Sequence, residues 1–151
     1  MPITVRRATI NDLETLFEIE RECFTLEAFT KQQMAFLLEN PHNISLTAWK
    51  NNKIAGFIIG LIQNSNETRI GRVYTLDVAV KHRRKGIGLK LLNELEQLFI
   101  EKGVKNSYLE ARTDNVAARE LYDKHGYTEV KQLKDYYSKG VHGILLVKRL
   151  L

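Results

Sequence analysis

A short stretch containing two glycines is the clearest place in the sequence for chemistry. Residues 83–88 read Arg-Arg-Lys-Gly-Ile-Gly and stand between an apolar, strand-like run (73–80) and an amphipathic, helix-like run (89–102). Glycines at a strand-to-helix turn let the backbone approach a ligand, and the free N–H groups and positive dipole of a helix start attract an anion. Three consecutive basic residues add positive charge there. The stretch therefore predicts a site for a phosphate-bearing cofactor.

The spacing within this stretch excludes two common phosphate loops. A P-loop needs a Gly-Lys-Ser/Thr sequence, which does not follow here, and the dinucleotide fingerprint needs a third glycine, which is missing. We therefore expect a cofactor of another kind.

Length and composition indicate one folded unit. The chain has 151 residues, of which 44% are hydrophobic, enough for one core, so residues 1–151 are expected to form a single domain. Lys and Arg number 23 against 18 Asp and Glu, a net charge of +5. This excess favours an anionic partner such as a phosphorylated cofactor, RNA or the ribosome surface, or is simply a lysine-rich surface.

Targeting and metal-binding signals are not apparent in the sequence. The N-terminus lacks the apolar run of a signal peptide, and no stretch approaches the roughly 20 apolar residues of a membrane span. We therefore expect a cytoplasmic protein without a membrane partner. Cys23 is the single cysteine, which excludes an internal disulfide, and no metal is expected. We interpret Cys23 as a small core residue rather than a catalytic thiol.

The hydrophobic periods predict alternating strands and helices. Strands are predicted at 3–8, 44–49, 54–62, 69–80, 107–111, 127–130 and 144–147, and helices after Asn11-Asp12, after Thr30, at 86–102 and at 116–125. A two-residue hairpin turn is expected at 51–52, a polar turn at 63–68 and a long polar connection before the last strand. The pattern predicts a mixed sheet with helices on both faces.

Four features then occur in order along the chain. They are the glycine turn at 83–88, Leu-Glu-Ala-Arg at 109–112, Asn115 at a helix start, and a helix ending in Leu-Tyr at 121–122 before Gly-Tyr at 126–127. This combination resembles the GCN5-related N-acetyltransferase superfamily over almost the whole chain. It looks most like the RimI-type enzymes, which acetylate the N-terminal amine of a ribosomal protein, and like their archaeal relatives. The resemblance implies an α+β fold, a mixed, mostly antiparallel sheet of about seven strands flanked by about four helices.

The resemblance also implies how acetyl-CoA, the acetyl donor, would bind. Backbone N–H groups of the glycine turn would hold its pyrophosphate, and the preceding strand would hold the pantetheine arm and thioester through main-chain hydrogen bonds where neighbouring strands splay apart. The residues implied are Leu76, Asp77, Val78, Arg84, Lys85, Gly86, Ile87, Gly88, Leu89 and Asn115. Asp77 stands where such enzymes often have a small apolar residue. It could orient the acceptor or face solvent, and we favour solvent.

Acetyl transfer to an amine needs a base, an oxyanion donor and an acid. Glu110 matches the family's base, with its pKa expected to be raised by desolvation, and Tyr122 matches the residue that protonates the coenzyme A thiolate. A backbone N–H near Val78 is the expected oxyanion donor. From the residues alone, Glu110 could equally be a solvated strand residue and Tyr122 a packing residue.

Acceptor binding is expected at two places. Tyr136 and Tyr137 resemble tyrosines that bind the peptide backbone in N-terminal acetyltransferases. Phe24, Leu26 and Phe29 of the first inter-helix loop could form a small apolar pocket, and Glu27 offers a second carboxylate as a lower-ranked base. Both segments would also suit ordinary packing.

The sequence leaves three functions open. The first is acetylation of a protein or peptide N-terminus, with a ribosomal protein or the ribosome among the partners. The second is acetylation of a small amine or a lysine side chain, which needs a stronger base because lysine has a pKa of about 10.4, against about 7.7–8.0 for an α-amine. The third is an acyl-CoA-binding or RNA-binding module without catalysis. DNA is not expected as a partner, and the protein is expected to be a monomer or weak homodimer.

Overall fold

Seven strands and four helices make up the computed structural model, which describes residues 2–151. The strands are β1 (Thr4–Arg7), β2 (Leu46–Lys50), β3 (Lys53–Ser65), β4 (Thr68–Val78), β5 (Asn106–Arg112), β6 (Thr128–Ser138) and β7 (Val141–Arg149). The helices are α1 (Leu13–Cys23), α2 (Lys31–Glu39), α3 (Ile87–Glu101) and α4 (Val116–Lys124), with short 3-10 turns at Ile10–Asp12 and Val80–His82. The predicted α+β class and its strand and helix numbers are confirmed.

One sheet contains all the strands, in the order β1-β2-β3-β4-β5-β7-β6. Every neighbouring pair is antiparallel except β4 and β5, which are parallel and joined by the crossover helix α3. The β4–β5 pairing ends at Val73 and Leu109, although β4 continues to Val78 beside β3. Within residues 2–151, β4 from Tyr74 to Val78 therefore has no strand partner on its β5 side. We call this segment the open edge of β4.

Two apolar clusters cover the two faces of the sheet. The cluster beneath α3 includes Leu91, Leu92, Leu95 and Phe99, together with Tyr122 of α4. The opposite cluster includes Leu16 and Ile19 of α1 and Met34, Leu37 and Leu38 of α2. These residues recur at helical spacing, which is why the sequence predicts the helices well. No helix in the described part of the chain is long and apolar enough to cross a bilayer.

The helix starts follow local capping chemistry. Thr30 and Gln33 form a reciprocal capping box at α2, as expected from the residue types. At the first helical segment the cap is Thr9, which exchanges hydrogen bonds with Asp12, and not the predicted Asn11-Asp12 pair. The 3-10 turn that follows Thr9 places this cap before the helix proper.

The hairpin at residues 51–52 is confirmed, because both asparagines have positive φ and Lys50 lies opposite Lys53. The predicted polar turn at 63–68 is too long. β3 continues to Ser65 and β4 begins at Thr68, leaving a two-residue turn. Main-chain hydrogen bonds carry the ladder past the apolar core, so polar residues there still form strand.

The predicted long polar connection before the last strand is wrong. Residues 128–138 form β6, an edge strand of mostly exposed residues that pairs with β7. An edge strand facing water on most of its surface needs no apolar alternation, which removes the signal that identifies buried strands. Asp135 has a positive φ within a register shift, so β6 bends at that point.

β4 contains a β-bulge at Tyr74, the extra residue where its register with β3 shifts. A bulge changes which side chains face which side of the sheet. Before it, Gly71 lies against Phe99 of α3. After it, Thr75 and Asp77 face α1 on the opposite side. Asp77 is 1% exposed, so the prediction that it faces solvent is wrong.

We predict that Gly71→Ala destabilises the protein by about 1–3 kcal/mol, because overpacking at a rigid ring strains the core. A Cβ at Gly71 would lie 2.4 Å from the ring of Phe99. Urea unfolding of Gly71→Ala, Phe99→Leu and the double variant checks this. The double variant should lose less stability than the sum of the two single losses; simple additivity would contradict the steric explanation.

Candidate active site

The glycine turn forms an anion-binding geometry at the start of α3. Gly86 has a φ of 77° and Arg84 a φ of 62°, and this left-handed backbone turns the chain so that the helix begins at Ile87. No side chain among the described residues caps this helix start, whereas Thr30 and Asn115 cap α2 and α4. The first-turn N–H groups of α3 are therefore available to a ligand.

Basic side chains gather around this turn. Contact with Lys85, and its charge, lower the pKa of Lys50 on β2. The pKa of His82 is lowered by desolvation and then by Lys81, Lys50 and Lys85. Cations held this close repel one another, and a bound anion relieves that repulsion. The surroundings of the turn therefore suit a pyrophosphate.

The open edge of β4 offers main-chain groups to a second part of such a ligand. The Ala79 N–H donates to the Ala55 carbonyl of β3 at 2.8 Å. Alternate residues of a strand direct their main-chain groups to opposite sides, so Leu76 and Val78 direct theirs away from β3. The implied hydrogen bonds to a pantetheine arm are therefore feasible at Leu76 and Val78. The main chain of Asp77 faces β3 instead.

The Val78 carbonyl already has partners within the protein. It accepts hydrogen bonds from the Arg83 Nε at 3.0 Å and from the Cys23 thiol at 3.3 Å. The Val78 N–H is therefore the group left for an oxyanion. Burial raises the pKa of Cys23 to about 11, so this half-buried thiol is a poor nucleophile at neutral pH.

Glu110 joins three strands. Its carboxylate forms an ion pair with Arg72 of β4 and accepts a hydrogen bond from the Tyr136 hydroxyl of β6, and its side chain is 11% exposed. Glu110 directly follows Leu109, the last residue of β5 that pairs with β4. A carboxylate at this position can accept a proton from an amine.

Tyr122 is buried on α4, with its ring edge-to-face against Tyr127 at 5.8 Å between centroids. Burial raises the pKa of Tyr122. The hydroxyl is therefore protonated at neutral pH and can act as an acid. Asn115 precedes the helix and accepts the Ala118 N–H at 3.1 Å, so its side-chain oxygen serves as the α4 cap.

The α1–α2 loop, residues 24–30, lies against the far end of β5. Arg112 Nε is 3.4 Å from Glu27 Oε2. Tyr137 of β6 stacks edge-to-face on Tyr136 at 4.9 Å. Burial, followed by the charges of Tyr136, Glu27 and Tyr122, raises the pKa of Tyr137 to about 12. The fold thus brings together the loop, the β6–β7 hairpin and α4, which the sequence could only treat separately.

Phe29 lines an open, mostly apolar cavity of about 320 Å³. The other lining residues are Gln32, Gln33, Phe36, Leu37 and Tyr74. The Phe29 ring packs edge-to-face on Tyr74 at 6.4 Å. The predicted pocket of Phe24, Leu26 and Phe29 is different, since Leu26 is 61% exposed and does not line this cavity.

Two charged residues of this region belong to no motif, and the sequence does not single them out. Arg72 lies on β4 and forms the ion pair with Glu110, and Glu20 is buried on α1. Glu20 shares a helix face with Leu16 and Cys23, and a glutamate within an apolar stripe is the signal that could have identified it. No group of three or more His, Cys, Asp or Glu within residues 2–151 is arranged to hold a metal ion.

These features agree with the result of comparing the sequence with protein families. The model of the acetyltransferase (GNAT) family matches residues 13–127. The chain therefore belongs to the GNAT acetyltransferase family, whose acetyl donor is acetyl-CoA. An uncapped helix start after a glycine turn, next to an open strand edge, fits that donor.

Individual relatives refine the picture. An uncharacterized N-acetyltransferase of Methanocaldococcus jannaschii is 33% identical over 96% of this chain and 90% of its own. An N-alpha-acetyltransferase of Saccharolobus solfataricus is 27% identical over 97% of this chain and 93% of its own. The crystal structure of the ribosomal-protein-S18-alanine N-acetyltransferase of Escherichia coli superimposes with a TM-score of 0.86, covering 99% of this chain and 94% of that one at 22% identity. The N-alpha-acetyltransferase RimI of Mycobacterium tuberculosis is 31% identical over 90% of this chain and 85% of its own. The resemblance to RimI-type and archaeal enzymes is therefore confirmed.

We predict that Gly86→Ala weakens coenzyme A binding about tenfold or more, because an alanine disfavours the left-handed turn and displaces N–H donors from a charged ligand. Isothermal titration calorimetry measures this directly. Gly103→Ala is the matched control, since Gly103 has a φ of 79° at the other end of α3 and a Cβ at either glycine meets nothing within 4 Å. Both variants should lose about 1–2 kcal/mol of stability. Equal coenzyme A affinities would contradict the assignment of the turn.

Proposed function

We propose that this protein transfers the acetyl group of acetyl-CoA to the N-terminal α-amino group of a protein or peptide. The observation that carries the proposal is the position of Glu110, whose carboxyl group contacts Arg72 and Tyr136 just beyond the point where β4 and β5 separate. We call the space between the open edge of β4 and the β6–β7 hairpin the groove. Names of relatives support the same acceptor class, since the Saccharolobus relative is an N-alpha-acetyltransferase.

The electrostatics of the groove favour an α-amine over a lysine. An α-amine has a pKa of about 7.7–8.0, so a substantial fraction is neutral near pH 7 and a weak carboxylate base is sufficient. A lysine amine, with a pKa of about 10.4, needs a stronger base. The two carboxyl groups near the proposed acceptor site, Glu110 and Glu27, are ion-paired to Arg72 and Arg112, and a carboxylate is not the strong base that a lysine requires.

Two side chains are sufficient to carry the proton transfers of the proposed reaction. The neutral amine attacks the thioester carbonyl, the new N–C bond forms, and the Val78 N–H stabilises the oxyanion. Glu110 takes the proton that nitrogen loses. The C–S bond then breaks as Tyr122 gives its proton to sulfur. Proton exchange with solvent finally returns the carboxyl proton of Glu110 to water and reprotonates the phenolate of Tyr122.

Acceptor recognition is proposed to involve Tyr136, Tyr137, Glu27 and Phe29. The two tyrosines would bind the peptide backbone from one side, while the α1–α2 loop would contact the first residues from the other. We further propose that residues 1–151 act as one domain in the cytoplasm. The N-terminus of a ribosomal protein is our candidate acceptor, consistent with the net charge of +5 and with the acceptor named for the Escherichia coli structure.

The proposed acceptor is tested with acetyl-CoA and a set of short peptides. We predict acetylation of peptides with a free N-terminus, including the N-terminal sequence of ribosomal protein S18, and none of the same peptides with a blocked N-terminus and an internal lysine. Mass spectrometry identifies the modified nitrogen. Product on lysine or polyamines alone would favour the small-amine or lysine reaction instead, and binding of acetyl-CoA without any product would favour a binding module.

We predict that Glu110→Gln and Tyr122→Phe each lower kcat about a hundredfold or more, because each removes a proton-transfer group. Acetyl-CoA binding should remain within about twofold of the wild type, since neither residue touches the pyrophosphate turn. Stopped-flow or steady-state kinetics and calorimetry separate the two effects. Glu129→Gln is a matched control, because Glu129 also pairs with an arginine, Arg119, but outside the groove. Tyr108→Phe is the control for Tyr122. A loss of cofactor binding in place of turnover would show that the assigned role is wrong.

A further inference from the structure

Two carboxyl groups lie buried together between α1 and β4, and the proposed reaction uses neither. Glu20 and Asp77 are each 1% exposed. Thr75 lies between them, with its hydroxyl oxygen 2.9 Å from Glu20 Oε1 and 2.5 Å from Asp77 Oδ1. Three side chains from two elements thus form a chain of oxygen atoms inside the protein.

The number of hydrogens in this chain is the key constraint. Both O···O distances are those of hydrogen bonds, but the Thr75 hydroxyl has a single hydrogen to donate. The second short contact therefore needs a hydrogen on one of the carboxyl groups. Two ionised carboxylates this close and this deeply buried would also repel each other strongly.

The neighbours indicate which carboxyl group holds the proton. Glu20 accepts the Thr75 hydroxyl and, through Oε2, the Phe29 N–H at 3.0 Å, so its charge is stabilised by two donors. The Asp77 Oδ2 is buried and has no hydrogen-bond partner within residues 2–151. Desolvation, then Glu20, raises the pKa of Asp77 well above its usual range. The other groups that interact with Asp77 are Cys23 of α1, Arg83 after β4 and Tyr122 of α4.

We propose that Asp77 is protonated and donates a hydrogen bond to Thr75, which in turn donates to an ionised Glu20. Glu20 accepts the Phe29 N–H. The side chains of Asp77, Thr75 and Glu20 therefore act as positioning residues for acceptor binding. Phe29 lies near the end of the α1–α2 loop, and its ring contacts Tyr74 of the open edge. This chain of hydrogen bonds therefore connects the α1–α2 loop, on the proposed acceptor side of the groove, to β4, the strand proposed to bind the donor. This role rests on the proposed acetylation of a peptide N-terminus.

Because the hydrogen bonds run from Asp77 to Glu20, two isosteric substitutions should have different effects on the acceptor KM. Asp77→Asn can still donate to Thr75 from its amide, so its acceptor KM should stay within about twofold of the wild type. Glu20→Gln loses one of its two accepted hydrogen bonds, so its acceptor KM should rise about tenfold while the acetyl-CoA KM and kcat change little. Thr75→Val should behave like Glu20→Gln, and Thr75→Ser like the wild type. The opposite ranking, with Asp77→Asn the damaged variant, would place the proton on Glu20 and overturn the proposal.

Two measurements test the proposed hydrogen bonds without measuring activity. Infrared spectroscopy at pH 7 should show the carbonyl stretch of a protonated carboxyl group in the wild type and in a control, Asp123→Asn, but not in Asp77→Asn. Amide hydrogen exchange at Phe29 should accelerate about tenfold in Glu20→Gln and stay unchanged in Asp77→Asn. Absence of the infrared band from the wild type would overturn the proposal. If no peptide is acetylated, the proposed function fails while these two measurements still decide the state of the carboxyl pair.

Discussion

The separation of β4 from β5 after Val73 is the constraint on which the rest of the structure depends. Up to that residue the two strands share a parallel ladder, and beyond it β5 pairs with β7 alone. Main-chain groups left without a partner inside a sheet are costly unless a ligand or water binds them. A single 3-10 turn separates β4 from the glycine turn, so the free strand edge and the free helix start lie at the two ends of one short segment. This arrangement suits a long donor molecule.

Local chemistry explains what could be predicted from the sequence. A few adjacent residues determine the hairpin turn at 51–52 and the capping box at Thr30, and an apolar stripe at helical spacing predicts α3. The glycine turn is predicted from its own residues, and Glu110 and Tyr122 are proposed because they match a family pattern. The asparagine pair, the cap, the turn and the α3 stripe each lie within one short stretch of sequence, at most the 15 residues of α3, so no tertiary information is needed to recognise them.

Long-range pairing explains what could not be predicted. The ion pair of Glu110 with Arg72 joins residues that are far apart in sequence. Glu20 and Asp77 meet across 57 positions of chain only because α1 packs on the sheet. The sequence predicts only the first residues of β6, because the rest of this exposed edge strand carries polar residues on both faces.

The bulge at Tyr74 has a consequence for how proteins with this architecture can vary in length. It exchanges the two faces of β4, so that Leu76 and Val78 pack on the α3 side while Thr75 and Asp77 meet α1. An inserted or deleted residue between Tyr74 and Asp77 would exchange the faces again, placing a carboxyl group in the α3 core and rotating the main-chain groups away from the open edge. The β3–β4 turn at 66–67 lies beyond the core and is not subject to this constraint. Length variation should therefore concentrate at that turn and be excluded from residues 74–77.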